Sequence, residues 1–282
     1  SVIMGMHHNQ DIRYMGGVRK YMPITWITSL LGSLALIGTP FFSGFYSKDS
    51  IIEAVHESHL AAAGFANFAV LAGVFVTAFY SFRMYFLVFH GKERYDQNPD
   101  AHHGHDDHHD DHGHDDHGPH ESPWVVTVPL ILLAIPSVVI GYMTISPMLF
   151  GEFFKDAIFV DADKHHAMKE LAAAFHGPVA MALHAVSTAP FWLALAGVVV
   201  SWYMYLINPA VPAAIGRALR PLVVILENKY YMDWINENIL ARGARALGTG
   251  LWKVGDRTLI DGLFVNGSWK LVGMVSNWTR KL

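Results

Sequence analysis

Met22-Pro23-Ile24-Thr25-Trp26, running on to Ile37-Gly38-Thr39-Pro40-Phe41-Phe42-Ser43-Gly44-Phe45-Tyr46-Ser47-Lys48-Asp49, is the stretch that decides the fold. Residues 22–47 carry no charge. At about 1.5 Å of rise per helical residue, this run is long enough to cross a hydrocarbon core of about 30 Å. Gly38, Thr39 and Pro40 interrupt it. Proline removes a backbone donor and its ring clashes with the preceding turn, so a continuous helix is not expected through this point. Broken backbone at membrane depth persists only where it is buried in protein or lines a hydrated cavity. Lys48 and Asp49, directly beyond the break, are therefore candidates for an ion path.

The rest of the chain fits a membrane protein. Of its 282 residues 52% are hydrophobic and 16% charged, a composition diluted by polar loops. The net charge of -4 gives no footprint for nucleic acid. The absence of cysteine excludes disulfides, thiolate nucleophiles and cysteine-ligated iron–sulfur clusters within this chain. There is no dinucleotide glycine fingerprint. The start, Ser-Val-Ile-Met, carries no signal-peptide pattern and reads as the continuation of something longer.

Four apolar segments are long enough to span. The first, residues 22–57, is the broken one; Lys48, Asp49 and Glu53 interrupt its second half. The others are 60–89 with the single charge Arg83, 124–143 with Pro129 and Pro136 inside it, and 189–207. Tyr21, Trp124, Tyr142, Trp192, Tyr203 and Tyr205 stand near span ends, where aromatic side chains anchor at the interface. Arg13, Arg19 and Lys20 precede the first span, Lys92 and Arg94 follow the second, and Arg217, Arg220 and Lys229 follow the fourth. With four spans these loops lie on one side, which the positive-inside rule makes cytoplasmic.

Residues 95–121 are dominated by histidine and aspartate. This composition cannot bury a core and is expected to be a solvated, disordered linker. His102, His103, His105, His108 and His109 give it adventitious affinity for Zn²⁺, Ni²⁺ or Cu²⁺, without the fixed geometry of a structural site. After residue 207 the character changes again. Pro209 and Pro212 break the chain, and 213–226 reads as a short amphipathic helix. From residue 232 onward charges alternate with apolar groups at helical spacing. Ile235, Ile239, Leu247, Leu251, Val254, Leu263, Leu271 and Val275 form one stripe, too often interrupted to span and suited to lie along a surface. The expected fold is thus an all-α integral membrane protein. It has about four transmembrane helices, the first discontinuous, over 1–207, and a short amphipathic helix with a long lateral helix over 208–282.

Several motifs resemble one family. Met15-Gly16-Gly17-Val18-Arg19-Lys20-Tyr21-Met22-Pro23 and Gly38 through Asp49 are similar to the L subunits of bacterial NADH-quinone oxidoreductase, respiratory complex I, whose mitochondrial counterpart is subunit 5. The likeness continues through Tyr80-Ser81-Phe82-Arg83-Met84, Tyr230-Tyr231-Met232-Asp233 and Ile260-Asp261-Gly262. One departure stands at the start, where Met4 occupies a position often held by histidine in the family, although His7 and His8 follow.

The resemblance implies the C-terminal part of an antiporter-like, proton-translocating subunit in the bacterial inner membrane, with the His-rich loop and the lateral helix on the cytoplasmic side. It makes Lys48 the proton-transferring lysine and Asp49 its acidic neighbour. It places Asp233, Glu237, Arg242 and Asp256 on the lateral helix as coupling candidates, against other membrane-arm subunits and the lipid bilayer. NADH, FMN, iron–sulfur clusters and quinone would belong to partner subunits, so the chain would be part of a translocase without holding a redox centre.

The physics of the residues leaves room for simpler roles. A proton carrier needs switchable affinity: burial disfavours an amine's charge and a nearby carboxylate favours it. Lysine suits this, but an interfacial lysine can also snorkel. Asp49 reads equally as a cap or surface carboxylate. Arg83 reads as snorkelling or paired, and His56 and His184 as structural or interfacial. Thr39, Ser43 and Ser47 either bond the backbone freed at the break or order water. Mrp-type cation/proton antiporter subunits and membrane-bound hydrogenase subunits share the broken lysine helix, but the long amphipathic tail points to complex I. A histidine-loop metal transporter would need paired His/Asp ligands inside the spans, and none is seen there. On the complex I reading, deleting residues 101–118 from the full-length subunit leaves NADH-driven acidification of inverted vesicles largely intact. Loss of most pumping with normal assembly would assign the histidines a real role.

Overall fold

The computed structural model describes residues 1–97, 118–155, 157–158 and 166–281. The candidate metal-binding histidines His102, His103, His105, His108 and His109 lie outside the described residues. Among the described residues there are helices and turns and no strand. The chain divides into two compact units, Ser1–Pro212 and Ala213–Leu282.

The first unit opens with single helical turns, α1 (Val2–Gly5) first among them, followed by the two halves of the broken span, α2 (Pro23–Ile37) and α3 (Ser43–His56). Among the described residues three helices are long and apolar enough to cross a membrane: Ala63–His90, Trp124–Phe150 and Ala189–Ile207. Each begins as an α-helix, respectively α4 (Ala63–Tyr85), α5 (Trp124–Ile145) and α8 (Ala189–Trp202), and ends in a wider π turn. Between α5 and α8 the chain forms two further helices, α6 (His166–Ala174) and α7 (Pro178–His184).

The break has a complete backbone account. Gly38 takes the left-handed conformation at φ 77, and Gly38 N and Thr39 N donate to the carbonyls of Ala35 and Leu34, which closes α2 with a Schellman cap. Phe42 N then donates to Thr39 O at 3.1 Å across Pro40 and Phe41. Phe41 stands at φ 72, in the place where such a proline turn prefers glycine. The expected interruption near 38–41 is therefore present, with Lys48 beyond it.

At its other end α2 receives its cap from far along the chain. Proline at the first position has no N–H to satisfy. The Glu121 carboxylate accepts from Ile24 N at 2.9 Å, Thr25 N at 3.3 Å and Thr25 Oγ1 at 2.6 Å. A carboxylate suits the positive end of a helix dipole, an effect of about 0.3–1 kcal/mol. The N-terminal residues also hold both flanks of the histidine segment. His120 N donates to Gly5 O at 3.2 Å and Ser122 Oγ to Ser1 O at 3.1 Å, while Arg94 Nε donates to Met15 O at 3.0 Å. Lys20 pairs with Glu93 at 2.7 Å, which holds the carboxyl of Glu93 below, and the amine of Lys20 above, their ordinary ranges.

Packing in this unit runs through two apolar clusters. Met6, Met15, Val18 and Met22 are buried against Phe82, Tyr85, Val88 and Phe89 at the end of α4. Phe45 and Tyr46 of α3 are buried with Ile145, Ala182 and Ala185. Glycine permits close crossings: Gly197 of α8 lies against Phe75 O of α4, and Gly141 of α5 against Ser43 and Tyr46 of α3. Small residues at such contacts let membrane helices approach closely.

The second unit begins within α9 (Ala210–Ala218), which is followed by α10 (Arg220–Glu227). The single helix read over 213–226 is thus two, divided at Leu219. Pro221 explains the division, because it disfavours helical backbone before it and instead starts α10. Lys229, Tyr230 and Tyr231 all have φ between 51 and 59, a left-handed turn ahead of the tail. From there residues 232–279 are helical without a break. α11 (Met232–Ile235), α12 (Arg242–Gly250) and α13 (Asn266–Thr279) are joined by π-helical stretches at Asn236–Ala241 and Leu251–Val265. At about 1.5 Å per residue this helix approaches 70 Å. The long tail helix expected from the charge-interrupted apolar stripe is present.

Candidate proton-transfer site at the broken helix

Lys48 sits in the second turn of α3, and its Nζ donates to the carbonyl of Leu36. Leu36 is in the last turn of α2, where carbonyls have no intrahelical donor and carry the negative end of the helix dipole. The break therefore creates an electronegative pole, and a cation from the following half-helix reaches back to it. Gly38 is favoured here by its left-handed φ of 77; a Cβ built there would make only ordinary contact with Lys48 Cδ, at 3.8 Å.

Asp49 follows on the buried side of α3, 7% exposed. Among the described residues no ion pair joins it to Lys48. Instead the two side chains line one small cavity of about 30 Å³, closed by Gly38, Pro40, Thr188 and Phe191 among others. A water molecule needs about 10–15 Å³ on this measure, so the cavity holds about two. Lys48 also borders a larger groove of about 210 Å³ lined by Val70, Gly73, Val74 and Thr77 of α4. The amine thus stands between an enclosed, carboxylate-bearing space and a more open one.

The hydroxyls near the break divide their roles. Ser43 Oγ donates across to Ser137 O of α5 at 2.8 Å, and Ser47 Oγ donates to Gly44 O at 3.3 Å. Thr39 Oγ1 is buried without a hydrogen-bond partner among the described residues. Among the described residues none of the three hydroxyls bonds the backbone freed at the break, and Ser47 bonds back within its own helix. Arg83 lies over the Tyr205 ring, 5.2 Å from its centroid, which makes it a paired charge between the second and fourth spans.

In the second unit Asp233 pairs with Lys229 at 2.8 Å. Glu237, Arg242 and Asp256 are exposed on the tail helix, without ion pairs among the described residues. Among the described residues no three His, Asp or Glu side chains converge as metal ligands.

Fold and site define an integral membrane protein with an interrupted span that presents a lysine and a buried carboxylate to one internal cavity. Residues 1–79 match the family model described as NADH:quinone oxidoreductase/Mrp antiporter, transmembrane. Over 100% of its length the chain is similar to NADH-quinone oxidoreductase subunit L of Neisseria meningitidis serogroup A, 57% identical over 285 residues and covering 42% of that protein. It is 34% identical over 341 residues to subunit L of Rhodobacter capsulatus, with 99% of this chain and 45% of that protein covered. To NAD(P)H-quinone oxidoreductase chain 5 of a Picosynechococcus species it is 36% identical over 284 residues, with 93% of this chain and 39% of that protein covered. The chain spans less than half the length of these relatives. The chain is similar to part of NADH-quinone oxidoreductase subunit L in these relatives.

Proposed function

We propose that this chain is the C-terminal part of a proton-translocating membrane subunit of a NADH:quinone oxidoreductase, and that Lys48 transfers the proton. The observation that carries the reading is the placement of Lys48. Its amine donates to a carbonyl at the open end of α2, and the residue lines the same cavity as buried Asp49. A proton leaving the ammonium has an acceptor across about two waters. Moving one charge against 100 mV costs about 2.3 kcal/mol, within reach of modest changes in the surroundings of such a group at about 1.4 kcal/mol per pKa unit.

Asp233, Glu237, Arg242 and Asp256 then serve the contact between the tail helix and other membrane-arm subunits. The basic residues flanking the spans orient the histidine segment and the tail toward the cytoplasm of a bacterial inner membrane. NADH, FMN, iron–sulfur clusters and quinone are assigned to partner subunits, because this chain has neither cysteine nor a dinucleotide fingerprint.

The family model's own description favours one second reading, a Mrp-type cation/proton antiporter subunit. Disrupting the gene separates the two. On the first reading, quinone-dependent NADH oxidation in membranes disappears and the chain co-purifies with NADH dehydrogenase activity. Retained NADH oxidation together with lost sodium/proton exchange would assign it to the second.

A further inference from the structure

We propose that Glu53, faced by His184, carries the proton from the Lys48–Asp49 cavity to the C-terminal end of α3. The inference rests on the proton-transfer reading above and extends it to residues outside the recognised motif.

Three features of α3 lead to it. First, Asp49, Glu53 and Glu57 are spaced i, i+4 and i+8, so one face carries a carboxylate at each turn, with steps of about 6 Å along the axis. Second, exposure rises along that face: Asp49 is buried, Glu53 and Glu57 are half-buried, and His56 at the last helical position is exposed. Third, a titratable side chain from another element joins it. His184 ends α7 and lies within electrostatic reach of Glu53, as do His56 at the end of α3 and Glu57 at its C-cap. Asp49 and Glu53 act on each other as well.

The partner helix is held in place. Tyr46 Oη donates to Pro178 O at 3.3 Å, and Ala182 is buried among Phe45 and Tyr46. Asn67 Nδ2 of α4 meets His56 Nδ1 at 3.3 Å, which fixes the far end of the stripe to the second span. A helix that only needed to anchor at an interface would not place a carboxylate on its inner face midway between a buried cavity and its end.

The transfer is a sequence of proton hops with no redox step. The Lys48 ammonium gives its proton through water to the Asp49 carboxylate and becomes a neutral amine. The Asp49 carboxylic acid passes it to the Glu53 carboxylate and regains its charge. Glu53 releases it toward Glu57, His56 or His184 and then to solvent. Each step moves one proton, and the final proton leaves at the end of α3 remote from the N-terminus of α2.

The test uses the full-length subunit in the assembled membrane complex. Glu53→Gln and Glu53→Asn are compared with Glu53→Asp and wild type, with Lys48→Ala beside them, by NADH-driven acidification of inverted vesicles and by native gel. The amide variants are expected to slow pumping about 10²-fold, the scale of losing one positioned proton-transfer group, whereas Glu53→Asp retains most of it. Glu53→Asp and Glu53→Asn match in size and differ in titratability, so that pair decides the question if Glu53→Gln fails to assemble. Wild-type pumping in an assembled amide variant while Lys48→Ala is defective overturns the relay and leaves the Lys48 reading standing. Equal loss in Glu53→Asp and Glu53→Asn would make Glu53 a packing residue and also overturn it. Wild-type pumping in Lys48→Ala overturns the functional reading itself.

Discussion

Lys48→Ala in the full-length subunit is expected to slow proton transfer by about 10²-fold or more, on the scale of deleting a positioned acid–base group. The complex should still assemble. The Schellman cap on Gly38 and the turn across Pro40 are built from backbone bonds that do not involve Lys48, so the break survives the substitution. What alanine removes structurally is one hydrogen bond to Leu36 O, with a net effect of about 1 kcal/mol. Lys48→Arg separates charge from titration. Arginine restores a cation facing the negative end of α2 but does not release its proton in a protein. It should therefore assemble and remain deficient in pumping. The measurement pairs native-gel assembly with protons moved per NADH oxidised. If both variants move protons at the wild-type ratio, Lys48 is no more than a cap on α2 and the proton path lies elsewhere.

The sequence made the break readable because its causes are local. Gly38 and Pro40 act within a few residues of themselves, and an uncharged run around them can be counted. The spans were legible for the same reason, as was the tail helix, whose apolar stripe keeps one period over 232–279. What escaped depends on residues distant in the chain. Glu121 caps α2 from 97 residues away, and nothing around Glu121 announces it. Ser43 gave no sign that its hydroxyl would bond Ser137 O on α5 instead of its own helix.

The helices over 166–187 and the division within 213–226 have a different origin. α6 and α7 are short, at nine and seven residues, and owe their existence to packing against α3 more than to their own periodicity. The division of α9 from α10 was readable in principle from Pro221, which sits inside the amphipathic run. Glu53 shows the same limit at the site. In sequence it is one more charge interrupting an apolar half-helix; the fold brings His184 to it from 131 positions further along.

Gly44→Ala should be among the most damaging small substitutions in the first unit. Gly44 lies in the first turn of α3, and a Cβ there would run into the backbone carbonyl of Ala35 in α2. The obstruction is backbone and has no flexible end that can swing away, so the half-helices must separate. Overpacking of this kind costs about 1–3 kcal/mol. The separation also has a chemical consequence, since the same crossing holds Lys48 Nζ at Leu36 O. Gly44→Ala is thus expected to lower both the thermal stability of the complex and its pumping. Gly64→Ala is the control. Gly64 stands in the first turn of α4 with nothing within 4 Å of an added Cβ. Alanine is favoured over glycine in a helix by about 1 kcal/mol, so that variant should assemble and pump normally. Melting of the detergent-solubilised complex, followed on native gels and paired with vesicle acidification, compares the two. If Gly44→Ala matches Gly64→Ala in both, the close crossing of α2 and α3 is not what fixes the lysine at the break.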